Sequence, residues 1–337
     1  MPISYYIFIT FAPVQGFIEK SRKLRDLYGA SQILSYLSQV ILDNIEPETI
    51  ISPGAANIAQ GIPNRIVFKV VFDSDENAGD RIETLVSSLH CCFSDRWQCL
   101  LTECRTWIEQ NLTSFDWYWQ EEWGHWANHS WEFFWGYGTT LALAMQDIEN
   151  RKLSRNWTGI NWVGESSSIT GSDAIAFPNL GGRSRNPKQI NWAAEDEQIK
   201  AFYRQLAVTL DGRKNPQPET GEPEGKYIAA NERLSIPELA KRLVTLPEIA
   251  ETLEMPAPQK FTDIVRKTDA GNGQWTGWVM GDGDRVGDYL KCLASRENGD
   301  TQIREFSTQM TAWGEQFYGE VGEIIEDSGD IIGRTIY

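Results

Sequence analysis

The chain has 337 residues, of which 41% are hydrophobic and 23% charged, and its formal net charge is −16. These values are typical of a globular protein with two or three domains, and the negative charge argues against broad, nonspecific binding to nucleic acid, which depends on neutralising phosphates. No run of 18 apolar residues predicts a membrane span, the N-terminus shows no signal peptide, and the five cysteines form neither a disulfide framework nor paired C-x-x-C motifs, so we expect a cytoplasmic protein.

The first 150 residues predict a sheet backed by helices. Residues 4–12 are β-branched and aromatic and predict a buried strand, which Pro13 ends. Apolar residues at helical spacing then predict a long helix over 17–42. The remaining predicted elements of this unit are a strand over 66–72 and helices over 75–111 and 116–149. This alternation of strands and helices predicts an α/β arrangement.

Three groups of residues in this unit allow two interpretations each. His125 and His129 lie four residues apart and could share a metal ion on a helix, but the tryptophans around them favour a structural role. The aromatic stretch 116–135 is a candidate protein interface, although a buried helix is the commoner meaning of so many tryptophans. A local basic groove or one solvated helix face would each explain four neighbouring cations, which are Lys20, Arg22, Lys23 and Arg25.

The pattern weakens after residue 151. Segments 151–192 and 211–226 are rich in Gly, Ser, Asn and Pro and predict loops. Helices are predicted over 193–209 and 235–254, and Pro256 begins a linker to the last unit.

The last unit is predicted to contain two strands and two helices. The predicted order is a strand over 276–281, helices near 286–294 and 301–327, and a strand over 330–337. Such a unit cannot cover both faces of its sheet, so we expect it to need the rest of a domain or a partner.

A D-G-D turn follows the first strand of this last unit. Asp282 and Asp284 flank Gly283, and side chains at positions i and i+2 of an extended segment point to the same side. Two carboxylates, the Gly283 carbonyl and a nearby helix N-terminus can hold a hard divalent cation that carries nucleotide phosphates. The common alternative for this pattern is an Asp-Gly turn with solvated carboxylates.

Several stretches, taken in order, resemble one known family. The segment from Ala12 to Ser35 (APVQGFIEKSRKLRDLYGASQILS) resembles the first-palm signature of the large subunit of type III CRISPR effector complexes, closest to the III-B and III-D variants. Supporting similarities lie at 62–65 (IPNR), 131–135 (WEFFW), 231–242 (NERLSIPELAKR) and 280–287 (MGDGDRVG). The ordered series spans nearly the whole chain.

The resemblance implies an α+β fold with two ferredoxin-like palm domains and a mostly helical domain between them. The implied boundaries are 1–150 for the first palm, 151–270 for the middle domain and 271–337 for the start of the second palm. In this family ATP binds across the two palms. Mg²⁺ or Mn²⁺ then lets one 3′-hydroxyl attack the next α-phosphate, and cyclic oligoadenylate forms when target RNA is bound.

The resemblance also implies roles for individual residues. Asp282 and Asp284, with the Gly283 carbonyl, match the family's metal-binding strand and are the implied catalytic and metal-binding residues. The implied nucleotide-binding residues are Gln15, Arg22, Arg25, Ser31, Gly283 and Gly287, where the first four either line the opposing nucleotide or pack beneath it. An intrahelical or interdomain ion pair is the alternative role for Arg25 and Asp26.

Three departures from the family pattern bear on activity. A Gly-Gly-Asp-Asp hairpin should follow a strand like 334–337, where the sequence ends, so we expect a longer natural subunit and no cyclisation by the chain as given. The zinc cysteines of many relatives are replaced by serines near 166–171 and at Leu234-Ser235, and serine does not bind zinc, so no zinc is expected. Because the palm signature begins within the first fifteen residues, we expect no N-terminal HD nuclease domain like that of many relatives and no cleavage of single-stranded DNA.

Two functions from different classes therefore stand as hypotheses. One is the nucleotidyltransferase half of a cyclic-oligoadenylate synthase, and the other is an inactive structural subunit that caps the foot of the ribonucleoprotein. Both imply partners: a repeat-handle-binding subunit, a small helical subunit, and crRNA and target RNA bound through the complex, with no membrane. A free-standing diguanylate-type cyclase shares the palm but leaves residues 1–270 unexplained.

Overall fold

The computed structural model describes residues 2–54, 61–155, 159–181, 186–212, 225–229, 231–256 and 283–322. The fold is of the predicted α+β class. The two strands predicted at 276–281 and 330–337, together with Asp282, lie outside the described residues.

The first unit is built on a four-stranded antiparallel sheet with the order β2-β3-β1-β4. Helices follow β1 and β3, so the chain order is that of a split β-α-β arrangement, which is ferredoxin-like. Its elements are β1 (Ile3–Ala12), α1 (Val14–Glu19), α2 (Leu24–Leu42), β2 (Ile50–Ser52), β3 (Arg65–Phe72), α3 (Ala78–Asn111), α4 (Gln120–His129), β4 (Glu132–Gly138) and α5 (Leu141–Leu153).

The rest of the described chain is helical and loop structure. Residues 159–181 form a loop that makes isolated bridges between Ser166 and Ala174 and between Ile175 and Ser235. The helices are α6 (Trp192–Leu210), α7 (Ile236–Leu243), α8 (Pro247–Thr252), α9 (Val286–Ala294) and α10 (Gly299–Gly322). The predicted helices at 193–209 and 286–294 are confirmed, and the one at 235–254 is divided where Pro247 begins α8.

The predicted helix over 116–149 is wrong in its centre, which is the edge strand β4. Aromatic side chains suit a strand, and Phe133 and Trp135 pair with Phe11 and Ile9 of β1. Gly136 allows α5 to lie directly on this strand, because a Cβ atom there would be 2.3 Å from the backbone nitrogen of Ile148. Trp119 and Trp123 of the same aromatic stretch are buried, in keeping with the buried interpretation.

The two faces of the sheet contact different helices. Ile7, Ile9 and Phe11 project from one face into an apolar cluster with α2 and α3, and this cluster continues without a break into α6, α7 and α8. Phe8 projects from the other face into a smaller cluster with α5, α9 and α10. The domain boundaries at 150 and 270 stay predictions, and the large cluster crosses the first of them. No helix among the described residues is long and apolar enough to span a membrane.

Candidate functional site

The four signature residues lie on α1, on α2 and in the turn that joins these helices. Gln15 is exposed on α1, where its amide donates to Glu19 at 2.6 Å. Arg22 is exposed in the turn, and Ser31 is half-buried on α2. Arg25 is held against a later part of the chain, since its guanidinium lies 3.8 Å from the ring centroid of Tyr227 and donates to the Thr245 hydroxyl at 2.7 Å.

The basic cluster at the start of α2 is not one solvated helix face. Lys20 pairs with Asp173 at 2.6 Å, and Lys23 lies 3.9 Å from Glu232. With Arg25 on Tyr227, three of the four cations contact residues beyond position 170. Most of the positive charge of this cluster is therefore engaged by other residues of the same chain.

The start of α2 is fixed by a buried network around Arg242 of α7. Asp26 accepts from the backbone N–H groups of Arg22 and Lys23 at 2.8 and 2.9 Å, which caps the helix. Arg242 donates to both carboxylate oxygens of Asp26, at 2.6 and 3.1 Å, and to both of Glu232 at the same distances. All three side chains are at most 1% exposed. The ion pair proposed for Asp26 is thus present, with a partner more than 200 residues away.

Electrostatics keep this network charged. Burial alone would raise the pKa of Asp26 and of Glu232, but the hydrogen bonds and charge of Arg242 outweigh burial and leave both pKa values below their ordinary range. Burial acts in the opposite sense on Arg242, and its two carboxylate partners raise the pKa of its guanidinium. The three groups are therefore ionised at neutral pH.

Lys241, the neighbour of Arg242, holds the end of α1. Its buried ammonium donates to the carbonyl of Phe17 and, at 2.6 Å, to that of Lys20. Burial lowers the pKa of Lys241 to about 8. The backbones of α2 and α7 also touch directly, because a Cβ atom on Gly29 would be 1.9 Å from the carbonyl oxygen of Lys241. Helix α7 thus fixes both helices of the signature.

The described part of the D-G-D turn lies at the start of α9. Gly283, Asp284 and Gly287 are exposed there, and Asp282 lies outside the described residues. Arg285 adopts the left-handed conformation with φ 57° immediately before α9 and pairs with Asp288 at 3.1 Å. Residues 284–286, 288, 289 and 306 line an open cleft of ≈ 560 Å³ at this helix end.

The structure brings the predicted residues together in two separate groups. Helix α10 packs on the sheet face opposite α2, where Asp300 accepts from Tyr6 and from Lys69, each at 3.3 Å. Helix α9 lies beside α10, with the rings of Tyr289 and Phe306 5.3 Å apart. The described part of the D-G-D turn therefore lies on one face of the sheet, and α1 and α2 lie on the other.

The two segments for which the family resemblance implies zinc cysteines, 166–171 and 234–235, meet around Glu238. Ser167 and Thr170 of the loop, and Ser235 before α7, hydrogen-bond to Glu238 through side-chain or backbone groups. Sequence reasoning missed Glu238 and Arg242. The spacing S-x-x-T…S-x-x-E could have indicated Glu238. The partners of Arg242 are too distant in sequence to be predicted from spacing.

No cluster of three or more potential metal ligands (His, Cys, Asp or Glu) occurs within the described ranges. His125 is exposed and lies 3.7 Å from Glu122, and His129 is also exposed. Asp284 and the Gly283 backbone are the candidate magnesium ligands that the structure describes, and their exposure beside the cleft is compatible with that role.

Comparison with known proteins finds a family model that matches part of the chain. Residues 6–102, from β1 into α3, match the family model described as CRISPR-associated protein Cmr2, N-terminal. No curated protein matches the chain. The matched span includes the α1–α2 signature and β1 to β3, and it supports a Cmr2-like subunit of a type III CRISPR complex.

Proposed function

With the similarity to Cmr2 as the premise, we propose that this chain is the large, nucleotide-handling subunit of a type III CRISPR ribonucleoprotein. In the intact natural subunit, the ferredoxin-like first unit and the unit that contains the D-G-D turn form a palm pair that makes cyclic oligoadenylate from ATP when target RNA is bound. The observation that carries the proposal is that α9, which begins at the described part of the D-G-D turn, packs with α10 and α5 in the apolar cluster on one face of the ferredoxin-like sheet.

The two groups of predicted residues have different tasks in this proposal. Asp282, Asp284 and the Gly283 carbonyl would hold Mg²⁺ or Mn²⁺, which supplies charge neutralisation at the phosphates. The exposed N–H groups at the start of α9, including that of Gly287, face nucleotide phosphates. A 3′-hydroxyl attacks the α-phosphate of the neighbouring ATP, the new phosphodiester bond forms, and pyrophosphate leaves.

The signature residues support this site from the other side of the sheet. We assign Arg25 and Ser31 to packing beneath the opposing nucleotide, a role supported by the engagement of Arg25 by Tyr227 and Thr245 and by the half-burial of Ser31. Gln15 and Arg22 are exposed and remain available to an opposing nucleotide. Both roles that the resemblance left open for the signature are therefore used in this proposal, by different residues.

A structural subunit that caps the foot of the complex is the second candidate. The observation that favours it is the engagement of Lys20, Lys23 and Arg25 by residues of the same chain, which removes cations that a nucleotide would use. In both cases we expect the same partners: a repeat-handle-binding subunit, a small helical subunit, and crRNA with its target RNA.

The test uses the natural subunit purified within its complex, incubated with labelled ATP, Mg²⁺ or Mn²⁺, and target RNA. The enzyme proposal expects oligoadenylate, and the double variant Asp282→Ala/Asp284→Ala should reduce its formation by roughly 100-fold or more, because metal-held charge contributes several kcal/mol to such reactions. The matched control is Asp80→Ala, which removes an exposed aspartate from the first turn of α3 and should leave the rate unchanged.

Two results would contradict the enzyme proposal. A wild-type complex that assembles on crRNA but makes no oligoadenylate would leave the structural role. Product formation that persists in the double aspartate variant would remove the D-G-D turn from the reaction.

A further inference from the structure

Four residues converge at the start of α7 in an arrangement that catalysis does not explain. Ser167 and Thr170 come from the loop 166–174, and Ser235 and Glu238 begin α7. Two residues separate Ser167 from Thr170, and two residues separate Ser235 from Glu238. This is the spacing of C-x-x-C pairs in zinc sites that join a loop to a helix.

Glu238 is the acceptor at the centre of this group, which we call the Glu238 hub. The Ser167 hydroxyl donates to Oε2 at 2.5 Å, and the Ser235 backbone N–H donates to the same oxygen at 2.7 Å. The Thr170 hydroxyl donates to Oε1 at 3.3 Å. Ser167, Ser235 and Glu238 are at most 3% exposed, so the hydrogen bonds form in a site that excludes water.

The backbone of the loop directs both hydroxyls toward the carboxylate. Ser167 Oγ accepts from the N–H groups of Ile169 and Thr170 at 3.1 and 3.5 Å. Gly171, with φ +68°, closes the turn by donating to the Ser167 carbonyl at 2.8 Å. The left-handed conformation suits glycine and brings residues 167 and 170 to the same side of the turn. Two segments about 65 residues apart are thereby joined at one point.

The donor set does not suit zinc. Hydroxyl groups are not among the ligands of structural zinc sites, which use four thiolates or imidazoles, and here a single carboxylate is present. A carboxylate can instead accept several hydrogen bonds at once, from the donors that these positions supply.

We propose that the Glu238 hub replaces a structural zinc ion. It joins loop 166–174 to α7 by hydrogen bonds, at the four positions where a C-x-x-C…C-x-x-C chain would use thiolates. The protein therefore needs no zinc to fold, and its backbone retains the geometry of a four-thiolate site.

The test restores the thiolates in the full chain. The variant Ser167→Cys/Thr170→Cys/Ser235→Cys/Glu238→Cys should bind one additional Co²⁺ ion with the absorption bands of tetrahedral thiolate coordination, and Zn²⁺ should displace it. The unmodified protein gives the baseline for its five native cysteines.

A control variant carries the same number of cysteines in the same segments. It carries Ser168→Cys and Ser172→Cys instead of Ser167→Cys and Thr170→Cys. The substitutions Ser235→Cys and Glu238→Cys are the same as in the test variant. Ser168 donates to the Arg233 carbonyl and Ser172 is exposed, so neither contacts Glu238. No tetrahedral spectrum above the baseline is expected from this control.

Single variants keep the proposal testable if the fourfold variant does not fold. Glu238→Ala leaves two buried donors and one half-buried donor without an acceptor and should lower Tm by more than about 4 °C, whereas Glu238→Gln keeps one acceptor oxygen and should lower it less. Stoichiometric zinc in the purified wild-type protein, a folded fourfold variant without a tetrahedral spectrum, or an unchanged Tm in Glu238→Ala would each overturn the proposal.

Discussion

Replacing Arg242 by methionine should strongly destabilise the protein. Methionine keeps much of the side-chain volume but removes every hydrogen bond that the guanidinium makes to Asp26 and Glu232. The two carboxylates then remain in a site where each is at most 1% exposed. Breaking a buried ion pair by removing one partner costs about 3–5 kcal/mol.

The local contacts decide where in this range the value lies. Asp26 keeps two backbone N–H donors, at 2.8 and 2.9 Å, and Glu232 keeps the Ala229 N–H at 2.7 Å and Lys23 at 3.9 Å. These contacts limit the loss, so we expect about 4 kcal/mol. That is a large part of the roughly 5–15 kcal/mol by which domains are stable.

Urea unfolding followed by tryptophan fluorescence measures the change in the free energy of unfolding. Arg155→Met is the control, since Arg155 pairs with Glu132 at 3.2 Å but its side chain is 54% exposed, and a loss below about 0.5 kcal/mol is expected. A loss below about 1 kcal/mol in Arg242→Met would refute the reasoning, because the network would then contribute no more than a surface pair.

The pH dependence provides a second check on the same variant. In the wild type the two carboxyl pKa values lie below their ordinary values of 3.8 and 4.5, so the network stabilises the fold above about pH 4.5 and this contribution is lost as pH falls through the folded pKa values. Without Arg242, burial is opposed only by the remaining N–H donors and Lys23, so the pKa values of both carboxyls are higher than in the wild type. The difference in stability between wild type and variant should therefore shrink as the pH falls from 7 to 4.

Three further predictions concern the packing of α7 and the loop before it. Gly29→Ala places a Cβ atom 1.9 Å from the Lys241 carbonyl and should lower the free energy of unfolding in urea by about 2 kcal/mol or more, while Gly16→Ala, whose Cβ meets its nearest neighbour at 3.5 Å, should not lower it. Burial lowers the pKa of Lys241 from 10.5 to about 8, so between pH 8 and pH 10.5 the unfolded chain binds more protons than the folded one. The stability of the wild type relative to Lys241→Met should therefore rise by about 2 kcal/mol from pH 8 to pH 10. A constant difference would show that Lys241 titrates normally. Tyr203→Phe removes the buried hydroxyl that accepts from the Leu234 N–H at 2.9 Å and should cost about 1–3 kcal/mol, measured as a fall in Tm, and an unchanged Tm would contradict this role.

Elements with a strong local pattern were predicted correctly. The run over 4–12 gives β1, and apolar spacing locates most of α2, α3 and α6. The break between α1 and α2 was not predicted, because residues 20–23 contain neither Gly nor Pro. It depends on Asp26, which caps α2, and on Lys241, which binds the carbonyls at the end of α1.

The strand β4 was missed for a different physical reason. Tryptophan and phenylalanine fit a buried helix and a sheet equally well by hydrophobicity, and the pairing with β1 that decides between them spans about 125 residues. Gly136 and Gly138, whose lack of a side chain lets α5 pack closely on the strand, were the local sequence feature that could have indicated β4. Of the candidate site, the sequence located the turn at 283–287 but could not indicate that α9 and α2 occupy opposite faces of the sheet.

The apolar cluster shared by the sheet, α2, α3 and α6 to α8 limits how the molecule can move. A hinge through it would expose apolar surface at about 25 cal/mol per Å², so that opening even 400 Å² would cost roughly 10 kcal/mol. The attachment of α9 and α10 is different: it combines a small apolar cluster with polar contacts from Asp300 and from Ser307, whose hydroxyl accepts from the Gly54 N–H at 2.8 Å. A partner that displaces this helix pair would therefore expose less apolar surface than a hinge through the large cluster would. Rearrangement on binding is therefore expected at this seam, which carries the D-G-D turn, while the signature and the Glu238 hub move as one rigid body.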